Sequence, residues 1–494
     1  MKKISAILII CVMFASCKKL EDLNKNIKDP VSVSGESLFT GAQKTLVDAV
    51  VTPNVGSNTT RLFDQYWAET TYLDEENYNL NYRKGPDGFW NAIYVNVLNN
   101  LQQAKTVITA TTYSNDLSPV TKQNKLAIVD VMSVYAWSLL VETFGNIPYS
   151  QALNASVYFP KYDDGLTIYT DLISRLNTDI ATLNIAPTDM SFSSADNLYQ
   201  GSAASWAKFA NSLKLRMGMV LATISAPTST VAALAKTTIE SAAPNVFASN
   251  ADNAFLIYSS SAPNTNPMFE DQVAASRHDY LPANTLVDAM NSLNDPRRQF
   301  YYTTVADTTI YVGVPYGSAA PVQNIYSQLY GSILYNPIFQ GTIFEYSEVE
   351  FLLAEAVERG YNVGGTAESY YDNAIKASIE YWEGEGGASL SAADADAATY
   401  LAQPSVAYST AAGTWQQKIG TQQWIAYYNR GFEGWTEWRR LHYPLLVPGP
   451  NALTPIPLRY TYPIEEQTLN GPNYQAAAAA IGGDAVTTKL FWDK

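Results

Sequence analysis

Cysteine and histidine are almost missing from this chain. Among 494 residues there are two of each, Cys11 and Cys17, His278 and His442. Both cysteines fall within the first seventeen residues, so no disulfide framework can staple the rest, and a chain of this size must be held by core packing. Neither histidine sits at a metal-ligand spacing or beside a nucleophile elbow, which removes the usual zinc and acyl-transfer sites. Asp394 and Asp396 imitate the first half of a calcium loop, but alanines stand where the turn glycine and later ligands belong; they read as charge at the start of a helix. Carboxylates that could form a glycosidase pair do exist, among them Asp74, Glu75, Glu76, Glu433 and Glu437. In so acidic a chain their abundance carries little information. The reading is a non-enzyme that needs no cofactor and no metal.

Positive charge is also scarce. Thirty-one basic residues face 46 acidic ones, a net charge of −15, which becomes −17 once Lys2 and Lys3 are removed with a signal segment. Such a surface repels phosphate backbones and anionic headgroups, so nucleic-acid binding and electrostatic membrane docking are excluded. The N-terminal apolar run, Ile4 to Phe14, has about 11 residues against the roughly 20 needed to cross a bilayer. With Lys2 and Lys3 before it and Phe14-Ala15-Ser16-Cys17 behind, it reads as an export signal of the bacterial lipoprotein type. Small side chains at Ala15 and Ser16 admit a peptidase, and the Cys17 thiol is the local nucleophile able to carry lipid. Residues 1–16 are thus expected to be cleaved, 17–33 to form a charged tether closed by Pro30, and 34–494 to fold as one domain.

Tyrosine, by contrast, is plentiful. There are 34 tyrosines, 17 phenylalanines and 10 tryptophans, and tyrosine suits half-wet positions because it joins an apolar face to a polar tip. The periodicity is helical. Trp206, Phe209, Leu213, Met217 and Leu221 share one face of a helix that Ser202 or Ser205 could cap. Val131 to Phe144 make another, stopped by Gly145 and Pro148; Ile168 to Leu183 a third; Trp90, Tyr94, Val97, Leu98 and Leu101 a fourth. Glu348–Arg359 and Thr366–Trp382, joined by a glycine turn, form a helical hairpin with small residues at the seam. Further pairs are expected over about 37–70, 88–144 and 164–224. Regions 225–345 and 384–475 fit no helix pair; Phe255–Tyr258 and Ile310–Val312 within the first look like short strands.

Several stretches together resemble the SusD/RagB family of outer-membrane nutrient-binding lipoproteins. They are the lipobox with Leu20-Glu21-Asp22-Leu23-Asn24, Tyr135-Ala136 through Phe144-Gly145-Asn146-Ile147-Pro148-Tyr149, Leu293-Asn294-Asp295-Pro296-Arg297, Tyr346 to Ala356, Gln423-Trp424 through Gly431-Phe432-Glu433-Gly434-Trp435 to Arg440, and Ile456-Pro457 to Tyr462-Pro463 with Glu465-Glu466. The resemblance implies a mainly α fold. About four tetratricopeptide-like helix pairs would form a right-handed superhelical scaffold, overlaid by irregular loops and a few short strands. It also implies a lipid-anchored protein at the outer face of the outer membrane. Such a protein binds an oligosaccharide, or a peptide, and passes it to a SusC-like TonB-dependent transporter.

A glycan site needs exposed flat rings with polar side chains between them. The stretch from Arg61 to Trp90 offers most, with Trp67, Tyr72, Asp74, Asn77, Tyr78, Tyr82 and Trp90 as expected ligand contacts; family members use this early segment for ligand. Tyr326 and Tyr330, in a glycine-spaced run from Tyr311 to Tyr335, form a second candidate. Trp424, Trp435, Trp438, Arg439 and Arg440 read instead as core and ion-pair network.

Overall fold

The computed structural model describes residues 33–112, 119–319 and 323–493; the signal, Cys17 and all but the end of the tether lie outside the described residues. The scaffold is helical. Its principal helices are α1 (Gly35–Val51), α2 (the contiguous segments Gly85–Asn91, Ala92–Leu98 and Asn99–Ala110), α3 (Pro119–Phe144), α4 (Gly165–Leu183), α5 (Ala203–Ala222), α6 (Ser229–Ala242), α7 (Tyr346–Glu358), α8 (Ala367–Glu385), α9 (Leu390–Leu401), α10 (Trp415–Ala426) and α11 (Gly431–Leu441).

Local chemistry sets several starts. Ser34, Asp164, Ser202 and Thr228 each accept an N–H from the first turn of the helix they precede, and Thr366 with Ser369 forms a reciprocal capping box. Helix α3 is long and apolar enough to cross a membrane, yet 94% of its apolar window is buried inside the protein. Its neighbours α2, α4 and α5 cover it.

Four helix pairs pack most extensively: α1 with α2, α3 with α4, α5 with α6, and α7 with α8. The number agrees with the sequence reading, but three of the four pairings do not. The first pair is not contiguous over 37–70: Arg61 to Thr70, expected as a helix, gives one turn at Thr60–Phe63 and then a strand. The α1 helix instead finds its partner beyond an excursion of residues 52–84, which shifts the next two pairs by one helix. Residues 229–242, placed in a region that fits no helix pair, are the regular helix that closes the third pair. Where α5 and α6 touch, Gly218 leaves room: a Cβ there would stand 2.7 Å from Cγ1 of Ile239.

Strands are short. β1 (Trp67–Glu69) pairs antiparallel with β5 (Tyr280–Pro282), β2 (Ile147–Pro148) with β3 (Tyr162–Asp163), and β4 (Ala254–Leu256) with β6 (Gly341–Phe344). Ile310–Val312 does not make a strand; the extended contact falls two residues later, where Val314 bridges Ala283.

Of the side chains read from sequence as core and network, Trp424, Trp435, Arg439 and Arg440 are buried and Trp438 is half-buried. Arg439 stacks on Trp435 at 3.7 Å and donates to the Glu142 and Leu458 carbonyls. Around it runs a buried layer of charge. Arg430 meets Glu348, Glu345 and Glu433; Arg216 meets Glu348 and Glu433; Arg440 meets Glu355 and Glu437. The C-terminal segment straps this layer: Tyr460 N donates to Thr143 O, Arg459 reaches the Phe144 carbonyl, and Trp492 is fully buried.

Candidate functional site

The excursion between α1 and α2 carries the most exposed aromatic surface of the early chain. Tyr72 is 71% exposed and Tyr82 67%. The Arg83 guanidinium lies over both rings, 5.7 Å from the centroid of Tyr72 and 5.4 Å from that of Tyr82. Arg83 also pairs with Glu75 and stands 4.0 Å from Asp74. The result is a ridge in which a cation holds two tyrosines at a set separation. Asn81 beside Tyr82 is exposed, and Asp74 accepts from the Asn79 amide.

Physical necessity bends the chain this way. Asp74 N donates to Tyr72 O, Asn77 N to Leu73 O, Tyr78 N to Glu75 O and Asn79 N to Asp74 O, so the loop coils on itself. Tyr72, Tyr78 and Lys84 have φ of 58°, 66° and 53°, a left-handed backbone that costs a side-chain-bearing residue energy unless its surroundings impose it. The surroundings do so at the loop's base. Glu69 N donates to Glu76 Oε2 at 2.6 Å and Glu76 N to Glu69 Oε2 at 3.0 Å, while Gly317 N donates to Glu76 Oε1. Burial is the main cause that pushes the carboxyl of Glu69 up to about 9 and that of Glu76 up to about 7. Burial likewise lifts Glu75 to about 7 against the pull of Arg83. The carboxyls of Glu69, Glu75 and Glu76 thus bond to amides or to Arg83.

The expected contacts divide. Tyr72 and Tyr82 stand on the surface, Asp74 beside them. Trp67, Tyr78 and Trp90 are corrected: they are buried. Trp67 lies on β1 between Arg61, at 4.8 Å, and Tyr280, at 5.3 Å. Tyr78 packs edge-on against Phe63, and Trp90 against Tyr94 and Phe144. Their rings cover apolar interior and leave no face for a ligand. Asn77 is half-buried, its Oδ1 without a partner and its carbonyl accepting from Leu453 N.

Tyr326 and Tyr330 are half-buried. Segments 67–69, 280–283, 312–314 and 327–329 lie side by side: Val314 N donates to Pro282 O, and Ser327 N to Val312 O. At a strand spacing of about 4.8 Å, roughly 14 Å separates the first segment from the last. The segment that leads into the ridge and the one that carries Tyr326 and Tyr330 therefore belong to one hydrogen-bonded assembly. Tyr316 makes the direct junction, its hydroxyl donating to Leu62 O at 2.6 Å.

Sequence reasoning missed the loop that flanks the ridge. Leu445, Val447 and Leu453 are exposed apolar side chains on a run rich in proline and glycine. Gln65 Nε2 donates to Val447 O, and Gly449 packs so tightly on Gly317 (φ 76°) that a Cβ there would stand 2.5 Å from the Gly449 Cα. The signal was present in Pro444-Leu445-Leu446-Val447-Pro448, apolar residues whose prolines forbid a helix.

The sequence model of a SusD-like family, described as starch-binding and associating with the outer membrane, matches residues 26–463. The chain belongs to this SusD-like family. No curated protein matches its sequence. Among solved structures it is similar to a chitin-binding SusD homologue from Flavobacterium johnsoniae, at 25% identity and a TM-score of 0.76, with 92% of this chain and 98% of that one covered. It is also similar to a SusD homologue from Bacteroides thetaiotaomicron, at 25% identity and a TM-score of 0.75, covering 94% and 99%. A third, from Bacteroides uniformis, gives 25% identity, a TM-score of 0.73 and coverage of 93% and 99%. The SusD-like fold, with its paired helices, thus spans the described chain.

Proposed function

We propose that this SusD-like protein is a cell-surface glycan receptor. It would be lipid-anchored through Cys17 to the outer membrane and would pass oligosaccharide to a partner TonB-dependent transporter of the SusC kind. The observation that carries the reading is the Tyr72–Arg83–Tyr82 ridge. Two exposed rings, fixed by a cation and bordered by Asp74 and Asn81, offer stacking faces for sugar C–H surfaces and polar groups for hydroxyls. The starch-binding description of the family and the chitin-binding relative support a carbohydrate over a peptide. Binding to so open a ridge is modest, since little area is buried against the entropy of association.

The test is calorimetric titration with maltooligosaccharides and chitooligosaccharides. Wild type should bind one class, and Tyr72→Ala with Tyr82→Ala should lose about 1–3 kcal/mol, roughly ten- to a hundredfold, while unfolding unchanged because both side chains are exposed. Binding of peptides alone would overturn the substrate class. Unchanged glycan affinity in the double variant would move the site to Tyr326 and Tyr330.

A further inference from the structure

The helical scaffold holds a second crevice, far from the ridge. It has a volume of about 380 Å3, within the roughly 300–1,000 Å3 of small-molecule sites. Its floor is α3, where Asp130, Ser133 and Trp137 recur at helical spacing along one face. Leu98, Gln102 and Lys105 of α2 form one wall, Arg175 of α4 the other, and the loop from Tyr149 to Leu153 closes an end. From Lys84 to Leu98 the helix runs fourteen residues, about 20 Å, so the crevice and the ridge are separate places.

Its charges are already matched. Lys105 and Arg175 reach from opposite walls to Asp130, at 2.7 Å and 2.6 Å, and Arg175 also donates to the Tyr149 hydroxyl, which is bonded to Asp171. Asp179, packed against Asp130, has its carboxyl pushed up to about 9 by burial and by the Asp130 charge, so it adds a neutral group and the crevice favours a neutral ligand. Hydrogen-bonding capacity is left over. The Lys105 ammonium spends one of its three protons on Asp130, and the Gln102 amide is exposed without a partner among the described residues. Trp137 is only 5% exposed, and its indole N–H meets no acceptor among the described residues. Trp137 lines the crevice, and the crevice is the place from which an acceptor for that N–H can come. Leu98, Ala152 and Leu153 supply apolar wall beside these polar groups.

We infer that this crevice is a second ligand site, selective for a short neutral saccharide, in which Trp137 Nε1, Gln102 and Lys105 bind hydroxyl or acetamide oxygens. The inference does not depend on the ridge. It is tested on the mature lipoprotein in detergent micelles, labelled with 5-fluorotryptophan and observed by fluorine NMR, with Trp137→Phe identifying the resonance. The probes are glucose, maltotetraose, N-acetylglucosamine and chitotetraose. The Trp137 resonance should shift saturably with at least one probe, and should still do so in the Tyr72→Ala/Tyr82→Ala background. Gln102→Ala, a surface change with no partner to lose among the described residues, should raise the half-saturation concentration about three- to tenfold. A resonance unmoved by all four probes, or a shift that vanishes in the ridge variant, would overturn the inference. So would a shift that Gln102→Ala leaves untouched.

Discussion

Glu69 and Glu76 hold the base of the ridge loop through each other's backbone amides, and the protons they carry decide how firmly. Burial raises both, to about 9 and about 7, above the unperturbed glutamate value of about 4.3. A raised carboxyl means that the docked loop binds more protons than the undocked one. Its contribution is complete below the unperturbed value and is lost as pH climbs through 7 and on to 9. Glycan affinity at the ridge should therefore fall between pH 6 and pH 9. Glu69→Gln, which carries no titratable proton, should flatten the upper part of that profile in titrations across the range; an unchanged profile would refute the latch.

Residue by residue, the sequence was legible where a side chain acts alone and obscure where its neighbours decide. Tyr82 reads as a surface ring because the stretch from Asp74 to Gly88 lacks helical period. Tyr78 reads identically to Tyr82 from sequence, yet Phe63 beneath the loop draws it inward, and Trp67, expected on a helix, is drawn inward by pairing of β1 with β5. Nothing local in Asp74 to Arg83 encodes those partners, which lie more than two hundred residues away in the case of Tyr280.

Helices are where periodicity served best. The stripe from Trp206 to Leu221 is α5, capped by Ser202, and the Glu348–Trp382 hairpin is α7 with α8. What failed was the choice of partner, because α1 and α2 are joined by a long excursion and a contiguous hairpin is the default for neighbours in sequence. The small residue at the α5–α6 seam gives a direct check. Gly218→Val would push a branched side chain into Ile239 and Thr238, where a Cβ alone comes within 2.7 Å and 3.1 Å. Overpacking of this kind costs about 1–3 kcal/mol. Urea unfolding should show that loss, whereas Gly41→Ala, which meets no atom within 4 Å, should be neutral or slightly stabilising.

For the whole molecule, the lack of a described disulfide leaves the interior to hold widely separated segments together, and it does so partly with charge. Glu348 of α7 receives Arg216 of α5 and Arg430, which precedes α11, and all three are buried. Removing one member of such a set strands its partners without water. Glu348→Ala should cost about 3–5 kcal/mol in urea unfolding, more than an ordinary exposed ion pair. A loss below 1 kcal/mol would show that the layer relaxes around the gap.

The ridge loop enters after one helix of a pair and leaves into the other, and its footing rests on a few inward side chains, Glu69, Glu76, Tyr78 and Leu80. Scaffold and recognition surface are therefore separable in inheritance. With that footing kept, the exposed positions of residues 70–84 form a cassette that can be exchanged without disturbing how α1 meets α2. A lineage carrying this scaffold could change its diet by rewriting a handful of exposed positions, and relatives with superimposable helices need share no taste.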